Sequence, residues 1–418
     1  MSTQDDTIHN LVDHLFRHKS GQMVAVLTRL FGLEHMQLAE DVVQDTLMQA
    51  LRTWPYQGVP DNPGGWLMQV AKHRAIDILR RRKVYNEKIA YLGRIESDHA
   101  PDIADLDIEG RVGDDQLTML FIGCHPILSR PVQITLLLKT SGGFGVPEIS
   151  RAFLLPETTI AQRLVRAKRR IREEGLIFEL PPDDELPQRL NSVLAVLYLI
   201  FNEGYLRSQG NDLVSAELCH EAIRLCELLI QHPLGDQPHV HALLALMYFQ
   251  VSRLAIRTGA LGELLLLADQ DRSQWDRQAI NQGMLHMDRA AAGDTLTEYH
   301  LLAGIAACHA TAPTYAETNW QAVLRYYDAL LHLNDSPVFA LNRAVALAEV
   351  EGPDVGLHAL NHLKGLDHYH LLAATYGTLY QRKGQKAEAL KAYRRAIGMT
   401  SNRVEQDFLR KRIDSLNL

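Results

Sequence analysis

Residues 154–172, LLPETTIAQRLVRAKRRIR, predict the local structure around which the rest of this sequence is interpreted. Pro156, Glu157 and two threonines favour the start of a helix, and six Lys or Arg side chains follow along its length. The preceding residues 146–154, VPEISRAFL, predict a shorter helix. Two short helices, the second polar at its start and basic towards its end, are typical of a DNA-binding helix-turn-helix. Its polar start suits base edges, and its basic end suits phosphates.

A second interpretation is open, because a basic surface helix is often simply solvated. The distribution of charge favours DNA binding, although the net charge of the chain is −7. Residues 66–83 contain six Lys or Arg and one acid, and residues 151–172 contain seven and one. Between them, residues 96–115 contain eight acids and one Arg. Two basic blocks on either side of an acidic segment indicate two DNA-contacting modules joined by a linker.

The composition is that of a soluble globular protein. The chain has 418 residues, of which 46% are hydrophobic and 22% charged, enough for about two to four domains. The longest apolar run, Val193 to Phe201, is too short to cross a bilayer. The first residues, MSTQDD, carry acids where a signal peptide needs positive charge. We therefore expect a cytoplasmic location and no membrane partner.

Metal, cofactor and catalytic sites are not expected. The four cysteines lack CxxC spacing, and the pairs His239-Val-His241 and His368-Tyr-His370 lack a further ligand at the right spacing. The glycine cluster at 142–145, GGFG, lacks the Lys-Ser/Thr of a phosphate-binding loop, so its glycines more simply permit a turn. Residues 202–205, NEGY, favour a buried helix end over a polar catalytic patch. We expect a protein that is not an enzyme.

The apolar spacing predicts an all-α fold throughout. Residues 6–84 form one small helical module, residues 85–114 an acidic linker, and residues 115–178 a second helical module. Residues 54–65 are expected to form a loop because they are rich in Pro and Gly. Pro181 and Pro182 mark a further boundary, and residues 185–418 are again helical.

The last of these regions contains a repeat-like pattern. From Gly377, small and aromatic residues recur at the offsets of one tetratricopeptide (TPR) helix pair: Tyr380, Gly384, Ala389, Tyr393 and Ala396. Residues 342–363 match less well, and residues 190–310 are helical without the pattern. A TPR-like solenoid needs stacked neighbours to bury its core, so several helix pairs are expected.

An upstream helix at residues 38–48, LAEDVVQDTLM, places a polar and acidic stripe ending in Met48 on one face. Followed by Trp54, Trp66-Leu67 and residues 75–82, AIDILRRR, and then by the helix-turn-helix, this order resembles the bacterial RNA polymerase sigma factors of the extracytoplasmic-function (ECF) type. The resemblance covers about residues 9–175. It implies that the first module is sigma region 2 and the second is sigma region 4.

The resemblance assigns candidate residues to two partners, core RNA polymerase and promoter DNA. Within polymerase it implies contact with the beta-prime clamp helices and the beta flap. The candidates for core polymerase binding are Glu40, Asp41, Gln44, Asp45 and Met48. Those for the promoter −10 element are Trp66, Lys72, His73, Arg74, Arg80 and Arg81, with the loop at 54–65 holding flipped bases. Those for the −35 element are Thr158, Thr159, Gln162, Arg163 and Arg166, with Lys168, Arg169 and Arg170 nearer the phosphates.

The remaining motifs resemble the ECF subgroup that carries a large C-terminal TPR-like extension. They are HPIL at 125–128, LYLIFNEGY at 197–205 and LNRAVA at 341–346. The extension is expected to modulate activity, through a regulatory protein or an intramolecular contact. Gly123 stands where a second cysteine is expected, which argues against a paired-thiol switch with Cys124.

One further hypothesis competes with a sigma factor, and another concerns regulation. The chain would otherwise be a TPR-type interaction scaffold with a DNA-binding helix-turn-helix, since acids outnumber Lys and Arg after residue 180. For regulation, the acidic linker would lie over a basic helix in the free protein, and neutralising its acids Asp102, Asp105, Asp107 and Glu109 would test this. An acidic linker that serves only solubility is an equally good interpretation.

Overall fold

The computed structural model describes residues 19–93, 112–153, 155–205, 216–257, 265–400 and 402–417. Within these residues every regular element is a helix and no strand occurs, which confirms the all-α class. The chain divides into two compact units, Met1–Leu197 and Tyr198–Leu418. The division falls inside a helix, and the acids of the predicted regulatory linker, 102–109, lie outside the described residues.

The first unit contains seven helices and the start of an eighth within its described residues. Helix α1 includes residues 19–31, and a short 3-10 turn at Leu33–His35 leads into α2. The others are α2 (Met36–Gln57), α3 (Pro63–Gly93), α4 (Val112–Gly123), α5 (Arg130–Thr140), α6 (Val146–Phe153), α7 (Glu157–Glu173) and α8 (Leu186–Tyr205).

Helices α2 and α3 form a hairpin around a shared apolar stripe. Leu38, Val42, Leu47 and Trp54 of α2 are buried at helical spacing, and Leu67 of α3 is fully buried. Gly58 ends α2 with φ +84°, a left-handed conformation that favours glycine. Helix α3 runs nine residues into the segment predicted as linker, because residues 85–93, YNEKIAYLG, include several good helix formers.

Helices α4 and α5 form the apolar centre of the second module. Leu120 and Leu136 are among their fully buried side chains. The start of α8 is attached to them, because the guanidinium of Arg189 donates to the carbonyl of Phe121 at 3.0 Å and Arg130 donates to the carbonyl of Ser192 at 3.0 Å. The beginning of α8 therefore belongs to the first unit.

The second unit continues with ten more helices within its described residues. They are α9 (Ala216–Ile230), α10 (Pro238–Val251), α11 (Arg277–Ala290), α12 (Glu298–Thr311), α13 (Trp320–Leu333), α14 (Pro337–Glu351), α15 (Pro353–Asn361), α16 (His370–Arg382), α17 (Lys386–Ile397) and α18 (Arg403–Asn417). From α12 to α18, each helix packs on the next one in sequence.

Small residues let neighbouring helices of the second unit approach closely. A Cβ atom at Gly377 of α16 would lie 2.5 Å from the ring of Tyr393 of α17. Gly304 of α12 has the same relation to Tyr326 of α13, at 2.6 Å. Each glycine therefore makes room for an aromatic ring of the following helix, which explains the spacing of Gly377 and Tyr393 in the sequence.

One stretch of the described residues, Pro238–Ile256, has the length and apolar composition of a membrane-crossing helix. Most of it is α10, whose side chains from Val240 to Met247 are buried, and α10 packs on α9, α11 and α12. A core helix satisfies the same criteria of length and composition.

Candidate nucleic-acid interface

Helices α6 and α7 form the predicted helix-turn-helix. Ile160, Leu164, Ala167 and Ile171 are buried at helical spacing and hold α7 against the module, so the opposite side of α7 faces solvent. After Glu173 the backbone closes with two hydrogen bonds, Leu176 to the carbonyl of Ile171 at 3.2 Å and Gly175 to that of Arg172 at 3.1 Å. Gly175 has φ +64°, so the helix ends in a Schellman motif.

The turn before α7 is fixed by local hydrogen bonds. The hydroxyl of Ser150 donates to the carbonyl of Leu155 at 2.5 Å, and the amide of Leu155 donates to the carbonyl of Ser150 at 3.1 Å. Pro156 follows, and its carbonyl accepts from the amides of Thr159 and Ile160 in the first turn of α7. This short turn sets the direction in which α7 leaves the module.

The side chains predicted to read the −35 element lie on α7 with different exposures. Thr158, Gln162 and Arg166 are exposed, whereas Thr159 and Arg163 are partly buried. Of the residues predicted near phosphates, Arg169 and Arg170 are exposed and pair with Glu173 and Glu174 one turn later, at 3.5 and 2.7 Å. Such exposed pairs are weak, so these arginines remain available to an anion.

Lys168 differs from its neighbours on α7. Its side chain is only 12% exposed, and its ammonium lies 2.7 Å from the carboxylate of Glu40 on α2. The ammonium also donates to the side-chain carbonyl of Gln37 at 2.6 Å. A residue predicted to contact phosphate is therefore held by the module predicted to contact polymerase.

Val165 is a residue of this surface that the sequence-based prediction missed. It is 66% exposed, which is unusual for a valine, and it lies between Gln162 and Arg166 on the solvent side of α7. An apolar side chain on a recognition helix can contact the methyl group of thymine. The sequence signal for this position is the helical spacing of the buried residues of α7, which places residue 165 on the solvent side of the helix.

Helix α3 presents the side chains predicted to contact the −10 element. Asn62 precedes the helix, where its side chain accepts from the amide of Gly65 at 2.9 Å, and Pro63 occupies the first helical position. Leu67, Ala71 and Ala75 are buried. His73, Arg80 and Arg81 are exposed, whereas Trp66, Lys72 and Arg74 are partly buried.

The loop predicted at residues 54–65 is shorter than expected, and that prediction was wrong in extent. Helix α2 continues to Gln57 and α3 begins at Pro63. Trp54 is 2% exposed and its ring meets that of Trp66 edge-on at 5.6 Å, a contact that keeps the last turn of α2 in place. Tyr56 is 90% exposed and is the large aromatic side chain that this end of the hairpin offers to a partner.

The stripe predicted to bind polymerase is split by the structure. Asp41, Gln44, Asp45 and Met48 are exposed on one side of α2, and Met48 is 46% exposed. Glu40 is buried beside Lys168. Four of the five side chains are thus presented together, and the fifth is covered in this arrangement.

The remaining motifs contribute packing and turns. Burial raises the pKa of the Cys124 thiol to about 12, so a single protonated thiol stands at the position of the expected cysteine pair. Gly143 has φ +70° in the turn between α5 and α6, as its glycine-rich surroundings predicted. Phe201 and Tyr205 are buried and stacked at the end of α8, as expected for a helix end in the core.

Comparison with known proteins gives two family matches. Residues 15–84 match sigma-70 region 2, which covers α2 and most of α3 and indicates a sigma-factor-like role in promoter recognition. Residues 189–291 match a family of unknown function, DUF6596. The chain is 36% identical to an uncharacterized protein of Rhizobium meliloti (strain 1021) over 401 residues, which is 94% of this chain and 93% of that protein. No solved structure matches significantly.

Proposed function

The chain belongs to the same family as that Rhizobium meliloti protein, and from its sigma-70 region 2 we propose that it is a sigma factor of the ECF type. It binds core RNA polymerase in the cytoplasm and directs promoter recognition and transcription initiation. It has no catalytic chemistry of its own. The proposal is carried by one combination: a sigma-70 region 2 with an exposed basic face on α3, followed in the same compact unit by a basic helix-turn-helix.

Region 2 meets both partners in this proposal. On the exposed side of α2, the polar and charged side chains of Asp41, Gln44 and Asp45 contact the beta-prime clamp helices. The flanking Met48 adds an apolar contact. The outer face of α3 holds the melted −10 strand with cationic side chains, and a base stacks on the exposed ring of Tyr56 at the end of α2. Asp45 and Arg74 lie 3.7 Å apart, so the acidic and basic surfaces adjoin where α2 and α3 pack together.

Region 4 reads the −35 element through α7 and contacts the beta flap. Thr158, Gln162 and Arg166 project from the solvent side of the helix at a spacing that fits a major groove. Val165 completes the reading surface with an apolar contact to a thymine methyl group. Arg169 and Arg170 follow towards the end of the helix, where they contact phosphates and fix the register.

We propose that the second unit is a TPR-like extension that modulates initiation. Helix pair α16–α17 supports this, because Gly377, Ala389, Tyr393 and Ala396 of the repeat pattern form its packed interface. This unit also contains a cavity of about 700 Å³ lined mainly by residues of α13, α14, α16 and α18. A cavity of this volume is large enough for a regulatory ligand or a peptide.

Run-off transcription with purified bacterial core polymerase on a genomic promoter library tests the function directly. The full chain should select a small set of promoters that core polymerase alone does not use. Comparison with a chain that ends at Leu197 tests the role of the extension. This shorter chain keeps the hydrogen bonds that join Arg189 and Ser192 of α8 to the rest of the first unit. Failure to associate with core polymerase, together with recovery of other protein partners, would instead favour the scaffold with a DNA-binding helix-turn-helix.

A further inference from the structure

The cavity of the second unit has an aromatic wall. Its rings belong to α13, α17, α18 and the segment before α13: Tyr315, Trp320, Tyr327, Tyr393 and Phe408. The Trp320 ring meets the rings of Tyr315 and His309 edge-on, with centroids 5.1 and 5.2 Å apart. Because such contacts already hold the rings in place, a flat ligand that packs on them loses little side-chain entropy.

The charged side chains that line this cavity are paired with one another. The pairs are Arg382 with Glu349 at 2.7 Å, Arg412 with Asp269 at 3.1 Å and His370 with Glu405 at 3.0 Å. Burial lowers the pKa of His309 to about 3, so this ring of the lining is neutral at pH 7. A charged ligand would need to displace one of these partners, whereas an uncharged ligand leaves all three pairs intact.

Three hydroxyl groups of the lining are used inside the protein. Thr375 and Thr378 of α16 donate to backbone carbonyls one turn earlier, at 2.8 and 3.2 Å. The hydroxyl of Tyr393 donates to the side chain of Gln381 at 2.9 Å. An extended peptide brings an N–H and a C=O with almost every residue, and each of them needs a partner when it is buried. The lining therefore suits a ligand with few polar groups better than it suits a peptide.

His309 and Asn342 offer hydrogen-bonding groups to the polar end of such a ligand. Nδ1 of His309 on α12 is buried without a hydrogen-bond partner among the described residues. Asn342 of α14 has an exposed side chain in the lining, and its amide can both donate and accept. A buried polar atom without a partner costs free energy, so a ligand group that bonds to Nδ1 of His309 removes that cost.

We propose that this cavity of about 700 Å³ binds a small uncharged molecule with a flat apolar body and one or two polar groups. The rings of Trp320 and Phe408 pack on the apolar body, and Asn342 and His309 bond to the polar groups. This molecule is the signal to which the C-terminal extension responds, a role that rests on the proposed function. Burial of the apolar body supplies most of the affinity, and the paired charges select against ionic compounds.

Two dyes with the same rings test the class of ligand. N-phenyl-1-naphthylamine is neutral, and 8-anilinonaphthalene-1-sulfonate adds one negative charge to that framework. In fluorescence titrations of the full chain, without polymerase or DNA, the neutral dye should bind with a dissociation constant of about 100 μM or tighter. The sulfonate should bind this site at least about tenfold more weakly, because its charge finds no free partner. Tighter binding of the sulfonate would overturn the uncharged class.

Substitutions that fill the cavity locate the neutral dye. Asn342→Trp adds a ring at an exposed lining position of α14 and should weaken dye binding at least about tenfold. Leu371→Trp repeats the block from α16, where the side chain is also exposed and lines the cavity. The matched control is His358→Trp, at an exposed position of α15 outside the lining, which should keep the wild-type affinity. Circular dichroism melting checks that each variant is folded, and an unchanged affinity in the folded lining variants would contradict the site.

Transcription separates the signal role from binding. Run-off transcription by Asn342→Trp should differ at least about fivefold from that of His358→Trp, and equal transcription would contradict the signal role. If the wild-type chain initiates nothing with core polymerase, the proposed function and the signal role fail together, while the dye titration still decides whether the cavity binds its ligand. Enrichment of one motif from a displayed peptide library by the wild type, and not by Asn342→Trp, would assign the site to a peptide and overturn the small-molecule class.

Discussion

Arginine has opposite roles on the recognition helix α7 of the first unit and around one buried site of the second. In the first unit, Arg166, Arg169 and Arg170 are exposed along α7, where a duplex can reach them. In the second unit, Arg272 is 5% exposed and its guanidinium donates to the carbonyls of His309 and Ala312 and to the hydroxyl of Thr318. The same type of side chain is left for a partner on α7 and satisfies internal polar groups at Arg272.

Buried titratable groups are a further feature of the interior of the second unit. Burial lowers the pKa of His309 to about 3 and that of His286 to about 4, so both are neutral inside the second unit at pH 7. Burial also raises the pKa of Tyr327 to about 12. The second unit thus has buried polar groups that are costly to disturb, whereas the solvent side of α7 in the first unit is exposed for recognition.

The largest expected effect is on the stability of the second unit. Tyr393→Ala removes a ring that is 2% exposed and packed against Gly377, and should lower the free energy of unfolding of that unit by about 3–5 kcal/mol. Tyr393→Phe is the control, because it keeps the ring and loses only the hydrogen bonds of the hydroxyl to Gln381 and Thr378. Hydrogen exchange measured during thermal unfolding would show which unit loses stability. An unchanged stability of the second unit would contradict the packing of α16 on α17.

A somewhat smaller effect is expected on promoter use by the first unit. Arg163→Glu/Arg166→Glu removes two contacts of about 1–3 kcal/mol each and should reduce run-off transcription by about 100-fold or more, with little change in melting temperature. The control is Lys391→Glu/Arg394→Glu on α17, the same charge change at exposed positions of the second unit. Equal losses of transcription in both double variants would contradict the specific role of α7 in promoter use.

Acidification should weaken the second unit. His309 has a depressed pKa in the folded state, so unfolding takes up a proton between pH 6.5 and about 3, and stability falls as the pH falls through that window. At pH 5 this one group costs about 2 kcal/mol relative to pH 7. Melting curves of the wild type and His309→Gln across this range check it, and the variant should show the shallower dependence.

The smallest effect concerns base preference at the −35 element. Val165→Ala should reduce discrimination for a thymine-containing pair by about 1 kcal/mol, or roughly fivefold, and leave overall affinity for DNA nearly unchanged. Ile177→Ala is the matched control, because that side chain is also 66% exposed but follows the end of α7. Selection from randomised −35 sequences measures the preference, and identical selections for wild type and Val165→Ala would exclude this contact.

Local patterns in the sequence were sufficient to predict most of the helices. On α7, the helical spacing of Ile160, Leu164, Ala167 and Ile171 is enough to predict which side is buried and which faces solvent. The spacing of Gly377 and Tyr393 in the repeat pattern likewise predicts that α16 and α17 pack as a pair. By contrast, Pro55 and Gly58 predict a loop around Trp54, and the sequence does not show the contact with Trp66 that accompanies its burial.

The amino-acid sequence by itself determined an all-α chain, a basic helix after a tight turn and an acidic stripe on an earlier helix, since all three depend on residues within a few turns of each other. Only the tertiary structure decided that Glu40 is buried against Lys168 and not exposed with the rest of that stripe. It also decided that Gln37 contacts Lys168, 131 residues away in sequence, and that the boundary between the units falls within α8. The physical reason is that the spacing of apolar residues along a helix shows which side chains are buried and which face solvent. Which distant partner covers them depends on how the modules pack together.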